Sequence, residues 1–191
     1  MANRRILTWP NPRLIKTSSP VESFDQDLRS LADDLVDTLN VCMGVGLAAP
    51  QIGASKRVVV IRCDPLELEN PDPHTRDEKF LILVNPEIQL SGETISWKEA
   101  CLSVPGFDGT VTRNSEVSLS YQTLDGEEKT LEAAWPFSGV LQHECDHLDG
   151  RLFTSRLTYW ERSNIEKKIK KRKKAKILAT KEYERKMRLE R

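Results

Sequence analysis

The sequence predicts an α+β fold. Strand-like segments come in runs rather than alternating with helices, and a single helix after them carries the chemistry. A final stretch without proline or glycine completes the chain.

The first element is helical: Leu28, Leu31, Leu35 and Leu39 are spaced by 3, 4 and 4 residues, which marks one face of a helix over 25–43. It ends before Gly44 and Gly46, as helices often do. Arg57–Arg62 contains the β-branched run Val58-Val59-Val60-Ile61 and reads as a strand. Residues 64–79 are acidic and hold Pro65, Pro71 and Pro73, the pattern of an exposed loop. Phe80–Val84 reads as a second strand pairing with the first across that loop. Val117, Leu119 and Tyr121 alternate, Leu124-Asp125-Gly126-Glu127 turns, and Lys129-Thr130-Leu131 returns, a hairpin pattern. A helix is expected to start near Pro136, where proline is tolerated, and to run to about Leu148, with Gly150 ending it. Residues 159–190 are expected to form one long helix.

At 191 residues the chain accommodates one domain and a tail. A hydrophobic content of 38% is enough for a core. The 29 basic and 29 acidic residues cancel, but 14 of the basic and only 5 of the acidic ones fall in 161–191. The expectation is therefore an acidic globule, residues 1–158, with a basic helix or tail at 159–191. No apolar segment follows the first residues, which argues against a secretory signal. No run approaches the roughly 18 apolar residues of a membrane span. Cys42, Cys63, Cys101 and Cys145 are widely spaced with no C-x-x-C, a usage that fits free thiols in a reducing compartment. Cytoplasm is the expected location.

The chemistry centres on His143-Glu144-Cys145-Asp146-His147, which reads H-E-x-x-H. On a helix, His143 and His147 share a face and can bind one metal ion, with Glu144 placed to handle protons on a bound water. Val140, Leu141, Leu148 and Leu152 flank the motif and argue for burial. Two histidines leave a catalytic metal one protein ligand short. A cysteine, a carboxylate or His74 could complete the set. His74 lies in the proline-rich loop and reads as solvated. Cys145 is two positions from His143 and points away from the metal face, while Cys42 and Cys63 have no ligand context. Val140, Gly139 and Pro136 lie three, four and seven positions before His143 and are expected to face the cavity. With Val45 and Trp97 they would make an apolar slot. Glycine at 139 either widens that slot or lets another segment pack closely.

Other readings of these motifs fare worse. A metzincin protease needs a third histidine at position 153, where this chain has Phe153. A thermolysin-like site needs a downstream glutamate, and Glu161 and Glu166 lie at the start of the basic tail. A phosphate loop at Gly44-x-Gly46 fails because no G-K-[ST] follows and Pro50 interrupts the helix start. A basic-tailed RNA-binding protein with a structural metal would need neither Glu144 nor Gln51.

Three segments, G-x-G-L-A-A-P-Q from Gly44 to Gln51, E-x-C-L-S from Glu99 to Ser103, and Q-H-E-x-D-H-L from Gln142 to Leu148, together resemble the peptide deformylases. The resemblance runs from about Ile6 to about Leu157. It departs at Ala100, where the family usually has glycine, and at Ser138-Gly139. It implies antiparallel sheets packed around a central motif-bearing helix, with a long C-terminal helix. It also implies that Cys101 is the third metal ligand, beside His143 and His147. By the same resemblance the activity is removal of the N-formyl group from N-formylmethionyl nascent chains, releasing formate. Glu144 would carry the proton, and the Gln51 side chain and the Leu102 backbone N–H would stabilise the oxyanion. Gly46 and Glu99 are expected beside the substrate. Fe²⁺ is the ion the family favours in the cell, with Zn²⁺, Ni²⁺ or Co²⁺ able to replace it. The tail cations, Lys167, Lys168, Lys170, Lys171, Arg172, Lys173, Lys174 and Lys176, lead to an expected docking on ribosomal RNA or protein near the exit tunnel. No membrane partner is expected, and the enzyme is expected to be a monomer.

Overall fold

The structure, a computed structural model, describes residues 3–42, 44–63 and 79–189. The loop expected at 64–79, with His74, falls outside these residues except for Lys79. The described chain divides into two compact units, Met1–Arg156 and Leu157–Arg191.

The first unit is built on one antiparallel sheet of five strands in chain order, β1 (Gly46–Ala48), β2 (Val58–Arg62), β3 (Phe80–Ala100), β4 (Asp108–Gln122) and β5 (Glu128–Ala134). The antiparallel sheet is continuous through all five strands, as the α+β expectation allows, and is irregular in register between Val84 and Glu87 and again between Ser91 and Thr94. Helix α1 (Gln26–Cys42) covers one face near β2 and helix α2 (Phe137–Leu148) the other. This explains the unbroken apolar run in β2. Val58 and Val60 pack with Leu28, Leu35 and Leu39 of α1, while Val59 and Ile61 pack with Leu141, Cys145 and Leu148 of α2. A strand buried on both faces has no place for polar alternation. Phe80–Val84 repeats the pattern opposite β2, in the antiparallel pairing expected for the two strands.

The Asp25 carboxylate starts α1 by accepting the N–H groups of Asp27 and Leu28 at 3.0 and 3.2 Å. The α2 boundaries agree with the sequence reading to within a residue, and Gly150 follows at φ +70°. The amide of Gln142 fixes α2 against β4, accepting from the Asn114 N–H at 3.0 Å and donating to its carbonyl at 2.8 Å. In the second unit, helix α3 spans Tyr159–Leu189 as one element. No described helix is long and apolar enough to cross a membrane.

Candidate active site

Helix α2 carries both motif histidines because its other faces are committed to the core. Leu141, Cys145 and Leu148 pack under the sheet, and burial pushes the Cys145 thiol up to about 12, so it stays protonated and inert. Cys101 arrives from the sheet, just after the end of β3, in a tight turn where the Val104 N–H bonds the Cys101 carbonyl at 2.9 Å. The Ser103 N–H points at Cys101 Sγ, 3.4 Å away. The donor atoms of Cys101, His143 and His147 all lie within 4.8 Å of one another, with Cys101 Sγ 3.3 Å from His147 Nε2. A tetrahedral ion with bonds of about 2.0–2.3 Å needs such donors about 3.3–3.7 Å apart. Two imidazoles and a thiolate are also a donor set that transition metals accept. The residues present therefore fit a single divalent ion, and they form a possible metal site.

A buried ion network holds this site from behind. Glu99 Oε2 accepts from His143 Nδ1 at 2.7 Å. The Arg113 guanidinium donates to both Glu99 oxygens at 2.7 and 3.0 Å and to Asp146 at 2.5 Å. Arg156 closes the far side with two bonds to Asp146, 2.7 and 2.6 Å long. Burial alone would raise the Glu99 carboxyl, but the bonds from His143 and Arg113 outweigh it and hold it at about 2. Glu99 is thus ionised and can only accept, so His143 keeps a proton on Nδ1 and Nε2 is the nitrogen that a metal ion would take in place of a proton. Burial lowers both histidines. Bonds to Cys101 and Glu99 more than offset this for His143, which stands well above its ordinary pKa, while His147 stays well below.

Glu144 sits between the two histidines with its Oε2 buried and without a hydrogen-bond partner. Burial pushes its carboxyl up to about 7. Gly46 of β1 makes room for it, since a Cβ at that position would lie 2.5 Å from Glu144 Oε1. Gln51, in a 3₁₀ turn at Ala49–Ile52, accepts the Ala48 N–H on Oε1 at 2.8 Å. Its Nε2 donates to Ser103 Oγ at 3.1 Å and faces Cys101 Sγ at 3.7 Å.

These groups open onto a cavity of about 500 Å³. Val45, Gly46, Gln51, Trp97, Glu99, Leu102, Val140, His143 and Glu144 all line it. One expectation needs correction. Pro136 and Gly139 do not line this cavity: Pro136 is exposed, and Gly139 is buried beneath Trp135 and Trp97. Helical spacing directs Gly139 toward the cavity side of α2, but the two indoles stand over it, and Pro136 precedes the first turn of the helix. Glu99 lines the cavity, yet its oxygens are taken by Arg113, His143 and Trp97. Sequence reasoning missed Arg113, Asp146, Arg156, Ser103 and Trp135. One signal was available for Arg113: it shares the inward face of β4 with Val111, where an arginine requires buried carboxylates.

A cysteine and two helical histidines, converging beside an unpartnered buried carboxylate on an α+β frame, define a metal-dependent hydrolase site. The comparisons specify which one. The family model described as polypeptide deformylase matches residues 3–163. A peptide deformylase of Helicobacter hepaticus is 38% identical over 174 residues, covering 91% of this chain and 94% of that relative. The crystal structure of a peptide deformylase from Legionella pneumophila superposes with a TM-score of 0.79 at 37% identity, covering 92% of this chain and 98% of that one. That of Ehrlichia chaffeensis, in complex with actinonin, gives 0.78 at 33% identity, covering 90% and 98%. The chain belongs to the polypeptide deformylase family. Its activity is the metal-dependent hydrolysis that removes the N-formyl group from formylated nascent peptides.

Proposed function

We propose that Cys101, His143 and His147 hold one divalent ion and that Glu144 moves the proton during deformylation. The observation that carries this reading is the buried, unpartnered Glu144 oxygen beside three converging donors. When bound, the ion supplies Lewis acidity and an acidified water. A carboxyl near pKa 7 can accept a proton and return it at neutral pH. Glu144 takes that proton from the attacking water and delivers it to the leaving amine. Gln51 is fixed by Ala48 and Ser103 so that an Nε2–H can turn to the tetrahedral oxyanion, and the Leu102 N–H is the second donor. Val45, Trp97 and Val140 form the apolar wall for the methionine side chain. Gly46 leaves room for Glu144, and Glu99 orients His143 rather than touching substrate.

The N₂S donor set suits both Fe²⁺ and Zn²⁺. The family resemblance favours Fe²⁺ in the cell, with Zn²⁺, Ni²⁺ or Co²⁺ as replacements. Residues 1–158 would carry the catalysis and 159–191 would dock a monomeric, cytoplasmic enzyme on the ribosome. The exposed cations Lys167, Lys168, Lys170, Lys171, Lys173 and Lys174 support that docking, since they favour a phosphate-rich partner. Anaerobically purified protein should contain about one iron per chain and release formate from a formyl-Met tripeptide. Iron-free protein with full activity would overturn the choice of metal.

A further inference from the structure

We propose that Trp135, which lies outside the cavity, sets the cavity's width through Trp97 and so governs the choice of the substrate's first side chain. The inference rests on the reading of Trp97 as part of the methionine wall.

Trp97 is the largest side chain lining the cavity. Its indole is held at two ends. At one end Nε1–H donates to Glu99 Oε1 at 2.8 Å, and Glu99 is itself clamped by Arg113 and His143. That end cannot move without breaking a buried ion network. At the other end the ring packs edge-on against Trp135, with centroids 4.6 Å apart and planes at 78°. Both rings press on α2 at Gly139, where a Cβ would come within 2.8 Å of Trp135 Cζ3 and 3.1 Å of Trp97 Cζ2. The two indoles therefore occupy the space that a side chain at 139 would fill. Trp97 is free to shift only at its benzo end, and Trp135 is what backs that end. Taking Trp135 away opens a void into which Trp97 can withdraw, and the slot deepens.

Trp135 is then a positioning residue. It touches no substrate, and its effect should appear in selectivity and in KM more than in kcat. The test compares wild type, Trp135→Leu and Trp135→Phe on formyl-Met and formyl-Phe tripeptides, with calorimetric binding of the matching deformylated peptides. Trp135→Leu should lower the Met-to-Phe ratio of kcat/KM about tenfold, mostly through KM, and should lower the binding ratio alike. Trp135→Phe, which keeps an aromatic backing, should restore both ratios to within about threefold of wild type. Unchanged ratios in Trp135→Leu, with only a lower melting temperature, would overturn the proposal and leave the deformylase site intact. A shifted binding ratio without formate release from any of the proteins would instead fault the assigned reaction and uphold the role of Trp135.

Discussion

Replacing Arg113 by leucine removes the central cation of the network behind the metal site. The side chain is fully buried and holds Glu99 and Asp146 with bonds of 2.7, 3.0 and 2.5 Å. Removing one partner of a buried ion pair costs about 3–5 kcal/mol, because the remaining charge stays desolvated. Asp146 keeps both bonds from Arg156, whereas Glu99 keeps only His143 and Trp97. The loss therefore falls mainly on Glu99, and the lower part of the range, about 3–4 kcal/mol, is expected. For a chain of 191 residues, each kcal/mol moves Tm by about 2–4 °C, giving a drop of about 6–16 °C. Arg156→Ala is the internal comparison. Its side chain is 35% exposed and leaves Asp146 still paired with Arg113, so it should cost about 1 kcal/mol. Calorimetry of metal-loaded protein reads both values. A Tm for Arg113→Leu at or above wild type, or a larger loss for Arg156→Ala than for Arg113→Leu, would refute the reasoning.

Further predictions address the donors, the glycine of β1 and the tail. Cys101→Ser should lower metal content well below one ion per chain, while Cys145→Ser, at a core position, should leave it unchanged; the reverse pattern in metal analysis would mean a wrong ligand set. Gly46→Ala should push a methyl group onto Glu144 and cut kcat about a hundredfold with metal retained, since misplacement by about an ångström can cost that much; kcat within threefold of wild type would show that the close approach is unimportant. Deleting the residues after Trp160 should leave turnover of a free formyl-Met tripeptide within about threefold, a change under about 1 kcal/mol. The same deletion should abolish salt-sensitive co-sedimentation with ribosomes, and undiminished binding would exclude the docking role.

Segments whose burial follows a simple period were legible in the sequence. The leucines of α1 mark their element because they bury one regular stripe, and the apolar run of β2 marks its own because both faces of that strand are buried. Most of β3 was not legible beyond Val84. Pro86 and Gly92 interrupt it, and its register shifts beside both, so the period of two is broken where the strand bends. The donor residues stood out because H-E-x-x-H is a local pattern, and the resemblance supplied Cys101. The groups behind them are dispersed: Glu99, Arg113, Asp146 and Arg156 meet only in the folded chain. Gly139 shows the limit of helical spacing, which gives a direction from the helix axis but not the neighbour already standing there. Trp135 is that neighbour.

The separation of metal holding from proton transfer is tested most directly in Glu144→Gln. That substitution keeps the shape of the side chain and removes its ability to take a proton. The protein should retain about one metal ion per chain by elemental analysis, because Cys101, His143 and His147 are untouched. Formate release from a formyl-Met tripeptide should fall by about a thousandfold or more, as expected when a general base is lost together with its return of the proton. Retained turnover, or loss of the metal along with the activity, would contradict the assignment.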